Sequence, residues 1–256
     1  MRRLAARAID QLEARIEFVG LDRIEPGLPY IVAPLHEGLI DPAVVLQLPL
    51  SMVFAMRSEF YEWGGVGRLL RKTGQIPVDP ERPRTGYRQL LDQAPGHLAA
   101  GRSLTIFPQG TVLGIEAAFS PAAFRLAKRC NVPVLPVILT GTHRAWEYPF
   151  SPRVRFGVPI RVEVMDPIPG DEAAAGFRVL ERKMKAAALA SEPQPRRYVP
   201  ERDGWWDGYR FTIDPDFPKL AERVGRHRAA SAQHAVTTQP EAPAGTKRSP
   251  PIEFRR

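Results

Sequence analysis

Residues 30–48 read YIVAPLHEGLIDPAVVLQL. The first six form a short apolar run with β-branched members, the middle is polar, and 42–48 return to apolar residues at helical spacing. A buried strand that passes through a polar break into a helix is the repeating unit of an α/β sheet. The pattern recurs outward from this stretch. Residues 51–56, 75–78, 103–107, 133–140 and 160–165 read as strands, and 63–72, 84–94, 121–130 and 171–190 as helices. The expected fold is α/β, with a central mostly parallel or mixed sheet flanked by helices. In such sheets ligands bind beyond the carboxyl ends of the strands. His36, after the strand ending at Leu35, and Gln109 and Gly110, after the strand ending at Phe107, fall at such ends.

Towards the N-terminus, Leu4, Ala8, Leu12 and Ile16 recur every four residues, bordered by Arg2, Arg3, Arg7 and Arg15. This predicts an amphipathic helix over 1–16 whose stripe either packs on the core or lies in a membrane surface. Residues 17–222 are expected to form the main domain. From 223 to 256 large apolar residues almost vanish, and seven Lys/Arg face only Glu241 and Glu253, which carries five of the net +8 charges. That composition predicts a disordered basic tail. The folded portion is thus only mildly basic, and the tail lacks the aromatic interleaving of a nucleic-acid binder, so no nucleic-acid partner is expected.

The longest apolar run, 132–139, holds two prolines and falls short of the ~20 residues that cross a bilayer. Met1 to Asp10 carry four charges and open into no signal-peptide core. A single cysteine, Cys130, forms no internal disulfide and has no metal-ligand cluster around it, which fits a reducing cytosol. No metal and no cofactor are expected.

In 36–41, HEGLID, His36 and Asp41 are five residues apart. On a continuous helix that offset is about 140° of rotation, so the two side chains meet only if His36 stays in the loop and Asp41 opens the helix. Asp suits a helix start and Pro42 a first turn. A histidine base oriented by a carboxylate is the apparatus for removing a proton from an attacking hydroxyl. The same pair also arises as a helix start beside a solvent-facing imidazole.

The choice turns on the blocks that follow. HEGLID at 36–41, GQIPVD at 74–79, FPQGT at 107–111, VPVLPV at 132–137 and VRFGVPI at 154–160 occur in an order and spacing that resemble the phospholipid/glycerol acyltransferase family. The resemblance covers roughly residues 16–190. It implies catalytic His36 and Asp41, substrate contacts from Gln109, Gly110 and Thr111, acyl-CoA or acyl carrier protein as co-substrate, and a lysophospholipid acceptor, often lysophosphatidic acid.

The chain departs from that pattern at three places. Gln109 stands where the family has Glu, Val112 where it has Arg, and Pro80 where it has the Arg after Asp79. Arg82 and Arg84 are the nearest downstream candidates for an acceptor phosphate. These departures leave open an acceptor with another head group, or a degenerate module that binds lipid or acyl carrier without turnover. Phe60, Tyr61 and Trp63 beside Arg68, Arg71 and Lys72 suit either a membrane interface or a packed helix. With a lipid substrate, an anionic membrane surface is the expected partner, and the inner face of the cell membrane the expected location. GWWDGYRFTIDPDFP at 204–218 is read as an aromatic flap over the core.

Overall fold

The structure is a computed structural model and describes residues 1–79, 82–110, 118–146 and 154–191. In chain order the elements are α1 (Arg2–Gln11), β1 (Arg15–Val19), β2 (Ile31–Pro34), α2 (Asp41–Val45), β3 (Met52–Arg57), α3 (Gly64–Lys72), β4 (Ile76–Val78), α4 (Pro83–Ala99), β5 (Ser103–Thr105), α5 (Ala122–Cys130), β6 (Val134–Thr140), α6 (Thr142–Ala145), β7 (Pro159–Val164) and α7 (Gly170–Ser191). Short 3-10 turns occupy Leu21–Arg23 and Ser58–Glu62. Among the described residues seven strands form one sheet in the order β1-β7-β6-β2-β5-β3-β4. Every pairing is parallel except β6 with β7. The expected α/β sheet flanked by helices is the fold observed.

Both faces of the sheet are covered, so its central strands are apolar on both sides. Along β2, Ile31 and Ala33 point to the face packed by α4, α5 and α7, whereas Val32 points to the face packed by α1 and α2. β6 divides in the same way, with Leu135, Val137 and Leu139 on the α1–α2 side and Val134 and Ile138 opposite. On the α5–α7 side, fully buried Phe124 stacks on both Phe119 and Phe177. Truncating such a ring to Ala costs about 3–5 kcal/mol.

Besides α2, which ends at Val45 rather than at residue 48, three boundaries differ from the sequence expectation by two residues or more. The helix predicted over 1–16 ends at Gln11. Glu13 takes a left-handed φ of 53°, and the Ala14 and Glu13 amides donate to the carbonyls of Ile9 and Asp10, closing a Schellman cap without glycine. Ile16, which the four-residue spacing assigned to the helix, lies in β1 opposite Ile160. Ala5 and Ile9 are the buried residues of α1, and Leu4 is exposed, so the buried stripe is rotated from the one expected.

The second boundary concerns the helix predicted over 84–94, which runs on through Pro95 to Ala99. Leu90, Ala94 and Leu98, four apart, are all buried on the core, and that packing carries the helix past a residue that lacks an amide proton. Third, of the strand predicted over 103–107, β5 covers Ser103–Thr105, with the Ile106 amide still donating to the Val32 carbonyl at 2.9 Å. The tail 223–256 and the aromatic segment 204–218 lie outside the described residues.

Candidate functional site

β2 lies mid-sheet between β6 and β5, and the loops leaving the carboxyl ends of these three strands meet over it. From β2, the Leu35 amide still donates to Val137 at 2.8 Å, after which the chain leaves the ladder at His36. α2 opens at Asp41 with Pro42 in its first turn, the arrangement the five-residue spacing demands.

His36 Nδ1 lies 2.6 Å from Asp41 Oδ2. The same oxygen accepts the backbone amides of Glu37 at 2.6 Å and Gly38 at 3.0 Å. Asp41 is fully buried and His36 nearly so. An ionised carboxylate only accepts hydrogen bonds, so facing it His36 Nδ1 is the donor, and in the neutral imidazole Nε2 then keeps its lone pair. The imidazole also stacks on Phe107, with ring centroids 3.9 Å apart and planes 25° from parallel. Ring rotation is therefore opposed both by a carboxylate and by a phenyl face.

On the β5 side, Gln109 Oε1 accepts the His36 amide at 3.4 Å, while its Nε2 is buried with no hydrogen-bond partner among the described residues. Gly110 has φ of 68°, which favours glycine, and its amide is taken by the Phe107 carbonyl at 3.1 Å. Thr111 lies outside the described residues. On the β4 side, Arg82 Nε sits 3.7 Å from Asp79 Oδ2, and Arg84 is exposed on the first turn of α4. Among the described residues neither guanidinium is hydrogen-bonded to His36, Asp41 or Gln109.

On the β6 side lies a cluster that sequence reasoning passed over. Glu37 is buried, and its Oε2 accepts the Gly141 amide at 2.9 Å and faces His143 Nδ1 at 3.0 Å. Gly38 presses against α6 so closely that a Cβ there would stand 2.9 Å from the His143 nitrogen and the Thr142 carbonyl carbon. The available signal was a charged residue inside HEGLID, between the histidine and a glycine. Phe107 was likewise visible as the first residue of FPQGT, although nothing in the spacing assigned its ring to His36.

The GQIPVD block serves the sheet. Gln75 of GQIPVD is buried, accepts the Phe54 amide at 2.8 Å and donates to Thr73, which fastens the start of β4 to β3. Cys130 ends α5 half-buried, and burial pushes its thiol above the usual range against the pull of Arg129. It is a poor nucleophile. Among the described residues no group of three or more His, Cys, Asp or Glu is placed to hold a metal ion, and no helix is long and apolar enough to cross a membrane.

Residues 15–140 match the protein family described as Acyltransferase. The chain is 31% identical over 140 residues to a 1-acyl-sn-glycerol-3-phosphate acyltransferase of Limnanthes alba, covering 54% of this chain and 49% of the relative. It is 29% identical over 140 residues to the protein of that name from Cocos nucifera, covering 54% and 45%. The chain spans about half the length of these plant relatives. A protein of the same name from Pseudomonas aeruginosa is 28% identical over 183 residues, covering 70% of this chain and 68% of the relative. Among solved structures, the 1-acyl-sn-glycerophosphate (LPA) acyltransferase from Thermotoga maritima aligns with a TM-score of 0.64 at 19% identity, covering 76% of this chain and 80% of that one. That last likeness is one of fold.

Proposed function

Because residues 15–140 of this chain belong to the Acyltransferase family, we propose that it moves a fatty acyl group from acyl-CoA or acyl carrier protein onto the hydroxyl of a lysophospholipid. The observation that carries this reading is the 2.6 Å contact between His36 Nδ1 and Asp41 Oδ2, which leaves Nε2 as a base. His36 Nε2 takes the proton of the acceptor hydroxyl as its oxygen attacks the thioester carbonyl carbon. The tetrahedral intermediate collapses, the C–S bond breaks, and the imidazolium returns the proton to the departing thiolate. Asp41 holds the imidazole in the productive tautomer and stabilises its charged form. The acceptor's own oxygen is the nucleophile, so the enzyme supplies none.

Lysophosphatidic acid, giving phosphatidic acid, is the acceptor that the relatives' names support. Gln109, Gly110 and Thr111 are proposed to line the acceptor site, Gln109 through its unpartnered Nε2, a donor that a glutamate would lack. Arg82 and Arg84 are proposed to meet the phosphate. Gln109 and Val112, by removing charges the family pattern carries, favour as second reading a lysolipid with a different head group. Peripheral membrane binding is part of the proposal. Exposed Leu4 between Arg3 and Arg7 on α1, and exposed Trp63 and Val66 near Arg68 and Lys72 on α3, pair apolar and basic groups as an anionic surface requires.

Thiol release from an acyl-CoA, with and without lysophosphatidic acid, tests the reading. Release is expected to require the lysolipid and to fall about 100-fold to 10,000-fold in His36→Ala. Absence of release with acyl-CoA and acyl carrier protein across several lysolipids would overturn it in favour of a binding module.

A further inference from the structure

We propose that Glu37 is a positioning residue for His36, acting through His143 and the β6–α6 turn. Glu37 is tied at both ends. Its amide donates to Asp41 Oδ2 at 2.6 Å, and its carboxylate is fixed by the Gly141 amide at 2.9 Å and by His143 Nδ1 at 3.0 Å. The turn that carries His36 and Asp41 is thereby fastened to the carboxyl end of β6. The neighbouring Gly38 amide also donates to Asp41 Oδ2, and Gly38 itself lies directly against Thr142 and His143.

The two amides matter to the imidazole because they hold Asp41 Oδ2 where His36 Nδ1 meets it. If the Glu37 carboxylate lets go of β6, its amide swings with it, and Asp41 loses one of the two donors that orient it. The His36 ring then loses its preference for the Nδ1-protonated tautomer, and Nε2 is no longer dependably a base. The pair is carboxylate to imidazole, as in His36 and Asp41, but with the roles divided differently. In the first pair the imidazole faces the reaction, and in the second it anchors a carboxylate that carries a backbone amide.

The kinetic part of this inference rests on the proposed function, and the spectroscopic part stands without it. Histidine ring nitrogen shifts, measured by 15N NMR on the full chain and assigned by the loss of His36 signals in His36→Ala, report the tautomer directly. The native protein is expected to show His36 protonated at Nδ1. Glu37→Ala and His143→Ala are both expected to move it to a mixture of tautomers, with Glu37→Gln, which still accepts the Gly141 amide, in between. His143→Ala leaves the His36 loop untouched in sequence, and it serves where Glu37→Ala fails to fold.

In the thiol-release assay the same variants are expected to lower kcat about 10-fold to 100-fold with the acceptor KM within about twofold, the scale of a misplaced catalytic group. The double variant is expected to fall no further than Glu37→Ala alone. A native His36 protonated at Nε2, or a tautomer unchanged in both folded alanine variants, would overturn the inference even in a fully active protein. A native protein that releases no thiol but shows the tautomer shift would overturn the proposed function and leave the positioning role intact.

Discussion

Two buried carboxylates, Asp41 and Glu181, are fitted into this fold in different ways. Glu181 sits in α7 with both oxygens occupied. Oε1 accepts Lys185 Nζ at 2.7 Å and the Phe119 amide at 2.9 Å, and Oε2 accepts Arg178 Nη1 at 2.9 Å. Lys185 is fully buried, with its ammonium over the Phe119 ring. Asp41 instead, among the described residues, gathers its side-chain partners on Oδ2, and Oδ1 is buried with none. A group that serves stability uses every lone pair it buries, since an unmet one costs about 1–3 kcal/mol. Under the proposed function, the cost at Asp41 Oδ1 accompanies a carboxylate oriented towards an imidazole rather than one placed for stability alone.

Asp41→Asn tests this contrast with the largest expected effect. The Glu37 and Gly38 amides would keep the asparagine oxygen in the place of Oδ2, and the neutral side chain would no longer stabilise the imidazolium, so thiol release should fall about 1,000-fold to 10,000-fold with little change in unfolding midpoint. Glu181→Ala should do the reverse. It removes the carboxylate that faces a buried ammonium and frees the Phe119 amide, so denaturant unfolding should show a loss of about 3–5 kcal/mol. Replacing Lys185 by Met as well should recover much of it, and turnover per folded molecule should stay near native. If Glu181→Ala lost turnover but kept stability, the division between the two carboxylates would fail.

The smallest effect comes from a histidine that has a cation where His36 has a carboxylate. His97 Nδ1 faces Arg102 Nη1 at 3.3 Å. Burial, and secondarily the Arg102 charge, push its pKa below the usual 6.5. The fold therefore favours neutral His97, and its contribution is fully present above pH 6.5 and lost as the pH drops through the lowered folded value. Stability measured across that window should decline on acidification, and His97→Gln should flatten the decline.

Much of the sheet was legible because strands buried on both faces read as apolar runs whatever their partners. The His36–Asp41 geometry was legible because both residues sit on one loop and one helix start, within local reach. β1 was not, because RIEFV continues the four-residue spacing of the preceding helix and the cap that stops it uses Glu13, a residue with no special liking for left-handed backbone. The reach of α4 past Pro95 was hidden for a similar reason, since only its packing against the sheet reveals it. Glu37 and Phe107 were in view as letters. Their partners, His143 and His36, are brought to them by the alignment of β6, β2 and β5, which no local pattern encodes.

The sheet order also bears on how the chain is made. Among the described residues β1 pairs with β7 alone, Glu17 opposite Arg161, residues 144 apart in sequence. At about 5–20 residues per second, the ribosome takes roughly 7–30 s to deliver that partner after β1 emerges. During the interval β1 is an unpaired edge with Ile16 and Phe18 bare, a template for wrong pairing. Of all the strands, then, the earliest made waits longest for its partner, and α1, bonded through Arg2 to the carbonyls of Leu46, Leu48 and Leu50, is the neighbour that can settle before it.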